Sequence, residues 1–423
     1  MKKKIELKNF WKIGKSVVLF SAILASCSKD VREPSDAGQQ VKPRGVTSGP
    51  AIVSAHRVND LLKLDEVKNS GIKSLEVDIF VGMKNGQPTC LIGHEAATAT
   101  GQTLAEYFAY LNQKIPDFES VWLDCKDLNS SANETLFTNT LNSLNTLYSI
   151  KNRVLVESRY IPYLVSFKQN GWKVSYYCNW EDVYGQSSAQ QQIVMGQMYS
   201  ELTTYGIDGI SYDAAINTPM KNYFSSKTVG GQPVKMYSWD ISRYYGEPNL
   251  STKIAGYDNL GILLISFDPP QATIVDGANY RIVSELTDEP SMLVDVNATY
   301  PVNGTNVTLW TYNYPTSNNQ VWKLRSLGSG YYAFKTLADT TKVLHVTGGG
   351  SANSTPVVVS AFNNSNAQKW KINYVGGGYY NLTPACATGK NLDVDGGDAS
   401  NGTQIQIYTA HTYGSQKFRL VKQ

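Results

Sequence analysis

Three times in its last third the chain places a glutamine two residues before a large aromatic ring. The copies are Gln320-Val321-Trp322, Gln368-Lys369-Trp370 and Gln416-Lys417-Phe418, at a spacing of 48 residues. Short apolar strands recur upstream of each, as Val294-Asp295-Val296, Leu344-His345-Val346 and Leu392-Asp393-Val394, and Tyr331-Tyr332 returns as Tyr379-Tyr380. A regular period of this length limits the fold sharply. From residue 276 onward Gly, Asn, Ser and Thr rise and helical patterning vanishes, so each repeat is all-β. One such repeat cannot bury a core of its own. Three closed about an axis can.

Upstream, the pattern is different. Apolar runs at 51–55, 74–81, 120–125, 153–157, 173–178, 207–211, 234–239 and 262–267 alternate with helix-like stretches such as 103–114, 133–149 and 187–205. Near-continuous apolar strands separated by helices predict a parallel sheet. Eight of them suit a (β/α)8 TIM barrel, with a doubly wound sheet as the alternative. The position of the polar residues favours the barrel, because they gather at the C-terminal ends of the runs.

Run one leads into His56-Arg57-Val58-Asn59, run two carries Glu76-Val77-Asp78, Gly93-His94 follows, and run three ends in Asp124-Cys125-Lys126. Residues two apart on a strand share a face. On the barrel interior, Glu76, Asp78 and Asp124 would converge as three hard oxygen donors beside Lys126, with His56 and His94 flanking them. Grouped carboxylates repel one another, and a bound Ca²⁺ or Mg²⁺ relieves that repulsion. Arg57 and Lys126 either hold a phosphate or pair with the carboxylates. Imidazoles titrate near neutrality, so one can take a proton from an attacking hydroxyl while the other donates to a leaving oxygen. The set suits phosphodiester cleavage. It does not suit hydride or acyl transfer, since neither a Gly-rich dinucleotide turn nor a nucleophile elbow is present.

At these residues the chain resembles the glycerophosphodiester phosphodiesterase and PLC-like phosphodiesterase superfamily, whose fold is a (β/α)8 barrel. The shared features are Ala55-His56-Arg57 after strand one, Glu76-x-Asp78 on strand two, His94, Asp124-x-Lys126 on strand three and Trp239 late in the barrel. The resemblance implies His56 and His94 as the general acid/base pair, Glu76, Asp78 and Asp124 as metal ligands, and Arg57 and Lys126 on phosphate. Val58 stands where that family has Gly, and no Glu-Asn follows. The His-x-x-Asn opening and Trp122-Leu123-Asp124-x-Lys126 are closer to the menorin branch, where Asn59 would take the missing ligand's place. The implied substrate is a phosphodiester small molecule or a lipid headgroup.

The 48-residue repeat resembles the ricin-type β-trefoil lectins, which carry the Gln-x-Trp signature. That family binds sugar through an early Asp, an aromatic some fifteen residues on and polar residues near the Gln-x-Trp. The first repeat matches with Asp295, Trp310, Asn319 and Gln320. The third matches with Asp393, Gln406, Tyr408 and Gln416, with Ser415 in place of the usual Asn. The second has His345 for the Asp and Ser360 for the aromatic, so it is expected not to bind. A carboxylate accepts hydrogen bonds from neighbouring sugar hydroxyls while a ring covers the apolar C–H face.

Residues 1–26 hold six Lys and one Glu and then an apolar run at 17–25, the form of a secretory leader and too short for an anchor helix. Leu24-Ala25-Ser26-Cys27 resembles a bacterial lipobox. It implies cleavage before Cys27, lipidation of that sulfur and an exported protein tethered in the cell envelope, at the outer membrane. A plain signal peptide with an incidental Cys is the alternative. Without the leader 32 basic residues face 34 acidic ones, which leaves no electrostatic footprint for nucleic acid. Cys90, Cys125, Cys178 and Cys386 lack zinc spacing, and buried free thiols are expected over a single disulfide.

The expected organisation is a leader over 1–26, a linker over 27–48, a barrel over 49–270 and a trefoil over 276–423. The expected function is a divalent-metal-dependent phosphodiesterase, of glycerophosphodiester or phospholipid type, targeted to glycans by the trefoil. The rivals are a glycoside hydrolase barrel using Glu157 and Asp213, and a non-catalytic glycan-binding surface lipoprotein.

Overall fold

A computed structural model describes residues 51–423 except 97, 98, 100, 268, 270, 288 and 314–317. The leader and Cys27 therefore lie outside the described residues.

Eight parallel strands close into a barrel. They are β1 (Ile52–Ala55), β2 (Ser74–Lys84), β4 (Ser120–Cys125), β5 (Val154–Ser158), β6 (Lys173–Tyr177), β7 (Gly209–Asp213), β10 (Lys235–Tyr244) and β11 (Leu260–Ser266). Hydrogen bonding runs from β1 through β11 and round to β2, and the pairing of Ala55 with Leu75 closes the ring. β3 (Gln87–Ile92) folds back antiparallel on β2, and β8 (Thr228–Val229) with β9 (Gln232–Pro233) forms a small ribbon. The crossover helices are α1 (Leu61–Asn69), α2 (Leu104–Lys114), α3 (Ser131–Tyr148), α4 (Val165–Gln169), α5 (Ser188–Tyr205), α6 (Asn217–Phe224) and α7 (Leu250–Lys253). Their starts are written locally. Asp60 caps α1, Ser130 caps α3 and Ser187 caps α5, while Thr103 and Glu106 form a reciprocal capping box on α2.

Alternation along each strand divides the barrel wall into two faces. Leu75, Val77, Val121, Leu123, Val154 and Val156 point outward into the large core beneath the helices. Trp122, Leu155, Tyr237, Ile262 and Leu264 form a separate cluster inside the barrel. On β2 the inward positions hold Glu76 and Asp78 instead of apolar residues, so this stave cannot join the inner cluster. Cys90, Cys125 and Cys178 are buried free thiols and Cys386 is half-buried, also free.

The C-terminal domain is twelve strands in a β-trefoil arrangement. They are β12 (Asn279–Ser284), β13 (Met292–Val296), β14 (Thr305–Thr311), β15 (Trp322–Gly328), β16 (Tyr331–Thr336) and β17 (Lys342–Val346), then β18 (Thr355–Ala361), β19 (Trp370–Gly376), β20 (Tyr379–Pro384), β21 (Lys390–Val394), β22 (Ile405–Thr409) and β23 (Phe418–Lys422). β15 pairs with β16, β19 with β20, and β23 with β12, joining the end of the domain to its start. Trp322, Trp370 and Phe418, the aromatics of the three repeats, are fully buried in one shared core.

The two domains are packed face to face. Val283, Leu293, Tyr312 and Val421 of the trefoil belong to the same apolar cluster as the barrel helices. Arg419 Nε lies 3.0 Å from Glu66 Oε1 of α1, and Asn69 Nδ2 donates to the Lys422 carbonyl.

Candidate functional site

The barrel site begins with how the chain leaves β1. His56 N–H donates to Ile265 O, and Val58 N–H donates to Glu76 O, so the turn is tied to both neighbouring strands. Arg57 between them adopts a left-handed backbone, φ +54°, and its N–H donates to Glu76 Oε2 at 2.6 Å. A non-glycine residue in this region costs free energy and persists only where surroundings enforce it. Here the enforcing contact is the Glu76 carboxylate.

Glu76, Asp78 and Asp124 are brought together, with one ligand-competent oxygen from each within 4.8 Å of the others. Oxygens bound at the 2.3–2.6 Å typical of Ca²⁺ lie at most about 5 Å apart across the ion, so the set fits a hard divalent cation. Lys126 enters the same group, its Nζ 2.7 Å from Asp78 Oδ1 and in contact with Asp124 Oδ2. Arg57 Nε lies 4.0 Å from Asp78 Oδ2. His56 Nε2 lies 3.9 Å from Glu76 Oε2, and His94 stands exposed at the end of the β2–β3 hairpin. Both rings are within electrostatic reach of Lys126, Asp78 and Arg57, so they flank one charged cluster.

Burial and charge divide the protons unevenly. Burial, reinforced by Asp78, pushes the Glu76 carboxyl well above its ordinary range. Burial raises Asp124 as well, against the pull of Lys126. Burial works on Asp78 in the same sense but is outweighed by Lys126, Asn59 and Arg57, which hold it well below the carboxylate range. Burial and the adjacent Arg57 bring His56 down to about 3, and burial with Lys126 lowers His94. His56 is therefore a neutral imidazole at pH 7, the protonation state a general base requires, but a weak base until a bound phosphate offsets the Arg57 and Lys126 charges beside it.

Asn59 differs from the expectation of a ligand. Its Nδ2 donates to Asp78 Oδ2 at 2.7 Å and to Glu289 Oε1 at 2.8 Å, and its Oδ1 accepts the Asp78 N–H at 2.8 Å. An amide whose nitrogen faces the carboxylates orients Asp78 and does not offer a cation its oxygen. Glu157 and Asp213, the pair a glycoside hydrolase would need, each accept local hydrogen bonds, and burial pushes the Glu157 carboxyl up to about 8. Glu157 accepts from Trp122 Nε1 and Ser211 Oγ inside the barrel, and Asp213 accepts the Ala215 N–H. Across the mouth, Tyr177 and Trp239 stack at 5.0 Å with Arg159 against Tyr177.

In the trefoil the three glutamines do one job. Gln320 donates to Thr311 O and accepts from Asn313 N–H, Gln368 donates to Ala361 O and accepts from Asn363 N–H, and Gln416 donates to Thr409 O and accepts from His411 N–H. All three are fully buried, so Gln320 and Gln416 hold loops rather than face solvent. Trp322 and Trp370 add indole bonds to Val294 O and Leu344 O. In the first repeat Asp295 is buried beside Gln320, with Trp310 and Asn319 half-buried and residues 314–317 outside the description. In the third, Asp393 accepts from Gln406, Ser415 and Gln416, each at 3.1 Å, and His411 Nε2 lies 3.3 Å away. Tyr408 and Tyr413 are exposed on either side of the His411 ring. In the second, His345 stands in place of the carboxylate and Ser360 in place of the aromatic, and the His345 Nδ1 is buried without a hydrogen bond among the described residues.

The comparisons bear on this second domain. A family model described as "Ricin-type beta-trefoil lectin domain-like" matches three overlapping segments, 271–360, 318–408 and 366–423. The C-terminal third is a ricin-type β-trefoil lectin domain. Among solved structures, the lectin domain is similar to the designed three-fold symmetric protein ThreeFoil at 29% identity, covering 34% of this chain and 99% of that one, TM-score 0.32. The chain is also similar to a Macrolepiota procera ricin B-like lectin in complex with lactose (19% identity, 36% and 100% covered, TM-score 0.30) and to the Rhizoctonia solani agglutinin (18%, 36% and 99%, 0.32). No curated protein matches the chain.

Sequence reasoning missed three residues. Two of these are His411 and Tyr413, for which the run Tyr408-x-x-His411-x-Tyr413 was the available signal, since it puts three rings in one loop. The third is Glu289, 230 positions from the Asn59 it contacts, and no local pattern marks it.

Proposed function

We propose that the chain is an exported, envelope-anchored phosphodiesterase that uses a divalent cation, Ca²⁺ or Mg²⁺, and is held on carbohydrate by its lectin domain. One observation carries the reading. The oxygens of Glu76, Asp78 and Asp124 meet within 4.8 Å while two cationic side chains and two imidazoles surround them. A cation held there would neutralise the carboxylates and draw charge from a phosphoryl oxygen. Arg57 and Lys126 face the remaining phosphate oxygens. His56, neutral at pH 7, accepts the proton of the attacking hydroxyl. His94, exposed at the rim, passes one to the leaving oxygen, once the phosphate charge offsets the burial and the Lys126 and Arg57 charges that otherwise lower that ring's basicity. The stacked Tyr177 and Trp239 offer an apolar wall to the rest of the substrate.

The test is hydrolysis of glycerophosphodiesters, phosphoinositides and a chromogenic bis-ester, with and without chelator. Turnover that needs the cation and falls at least about a hundredfold in His94→Ala and Asp78→Asn is the expected result. Turnover indifferent to chelator and to both substitutions rejects the reading.

A second reading is favoured by Lys126, which bridges Asp78 and Asp124 and so can act in place of a cation. The barrel would then be a non-catalytic support for a glycan-binding surface lipoprotein. Calorimetry showing sugar uptake but no divalent-cation uptake selects this alternative.

A further inference from the structure

Between β12 and β13 the lectin domain sends residues 289–291 against the turn that follows β1 of the barrel. Ser291 Oγ donates to Asp60 Oδ2, the carboxylate whose other oxygen caps α1. Glu289 Oε1 accepts from Asn59 Nδ2 at 2.8 Å. Asn59 is 2% exposed, and its amide is fully committed, one N–H on Asp78, the other on Glu289, the carbonyl on the Asp78 N–H. Glu289 also lies within electrostatic reach of Asp78, Lys63 and Arg57. It belongs to the lectin domain by sequence and to the barrel site by position.

A buried amide with one N–H unsatisfied is a costly arrangement, and rotation about its side chain would relieve it. Without Glu289, Asn59 therefore keeps only its two bonds to Asp78, and any turn of its amide takes from Asp78 the one bond to its carboxylate and the one from its backbone N–H. Groups that orient a ligand carboxylate control affinity for the ion it holds. We propose that Glu289 is a positioning residue of the barrel site, acting on Asp78 through Asn59, so that the lectin domain completes the barrel site as well as recognising sugar. This rests on the cation reading of Glu76, Asp78 and Asp124.

The full chain is titrated calorimetrically with Ca²⁺ and, separately, Mg²⁺, with folding followed by circular dichroism. Glu289→Ala is expected to weaken uptake roughly tenfold. Glu289→Gln keeps an acceptor for Asn59 and stays within about threefold of the parent, since only the hydrogen bond and not the charge is needed. Asn59→Ala weakens uptake as Glu289→Ala does, and the double substitution is no worse than Asn59→Ala alone. Should Glu289→Ala not fold, Glu289→Gln against Asn59→Ala still makes the comparison. Asp78→Asn is the reference for loss of the site. Parent uptake lost in Asp78→Asn but unchanged in Glu289→Ala overturns the inference and leaves the cation reading intact, as does equal weakening by Ala and Gln. Parent uptake absent for both ions removes the cation reading and this inference with it.

Discussion

Asp295 and Asp393 occupy equivalent places in the first and third repeats but carry different loads. A carboxylate has about four acceptor positions. Asp393 has given three to Gln406, Ser415 and Gln416, with His411 beside one of its oxygens, whereas Asp295 meets Gln320 among the described residues. Asp295→Ala is therefore expected to remove most of the heat of titration with a glycan selected from an array, while Asp393→Ala costs chiefly stability, about 1–3 kcal/mol by chemical denaturation. Burial, partly offset by Gln320, pushes the Asp295 carboxyl up to about 6 from an ordinary 3.8. Between those two values the folded chain holds a proton that the unfolded chain has released, so its stability falls as pH rises through the window. Asp295→Asn should stabilise the domain by about 1–2 kcal/mol at pH 7.5, allowing for solvent screening at a partly open site, and not at pH 3.5. In the parent chain, sugar affinity should weaken as pH drops below 6, because protonation removes the charged acceptor.

Elements were legible where burial dictates composition. All eight barrel strands fall on the apolar runs because each is covered on both faces. The β2–β3 hairpin was not anticipated, although Asn85-Gly86, both with positive φ, is a strong turn signal. That hairpin delivers His94 to the mouth. Glu76, Asp78 and Asp124 were readable because spacing by two fixes their common face, and the role of Asn59 was not, since sequence does not say which end of an amide faces a carboxylate. Gly209, at the start of β7, marks a close approach. A Cβ there would lie 2.0 Å from the Val174 carbonyl oxygen of β6. Gly209→Ala must push two adjacent staves apart, and a loss of about 3 kcal/mol or more in urea unfolding is expected.

At the scale of the whole molecule, the two domains share apolar surface as well as the Arg419–Glu66 contact, so heat should unfold them together. Arg419→Ala leaves the buried, 6% exposed Glu66 without that guanidinium, and should split one calorimetric transition into two, or move it down by several degrees. A single transition at unchanged temperature would contradict this account of the interface. The repeat and the alternation of strands announced two domains, but nothing in either pattern announced that they touch, because docking surfaces have no period. The hydrogen bond from Asn59 to Glu289 sets a condition on any recombination of these modules. A barrel transplanted onto a foreign sugar-recognition unit, or expressed by itself, arrives with a gap in the lining of its carboxylate pocket. A shuffled descendant of this gene would have to inherit the loop around Glu289 along with the barrel or evolve a substitute for it.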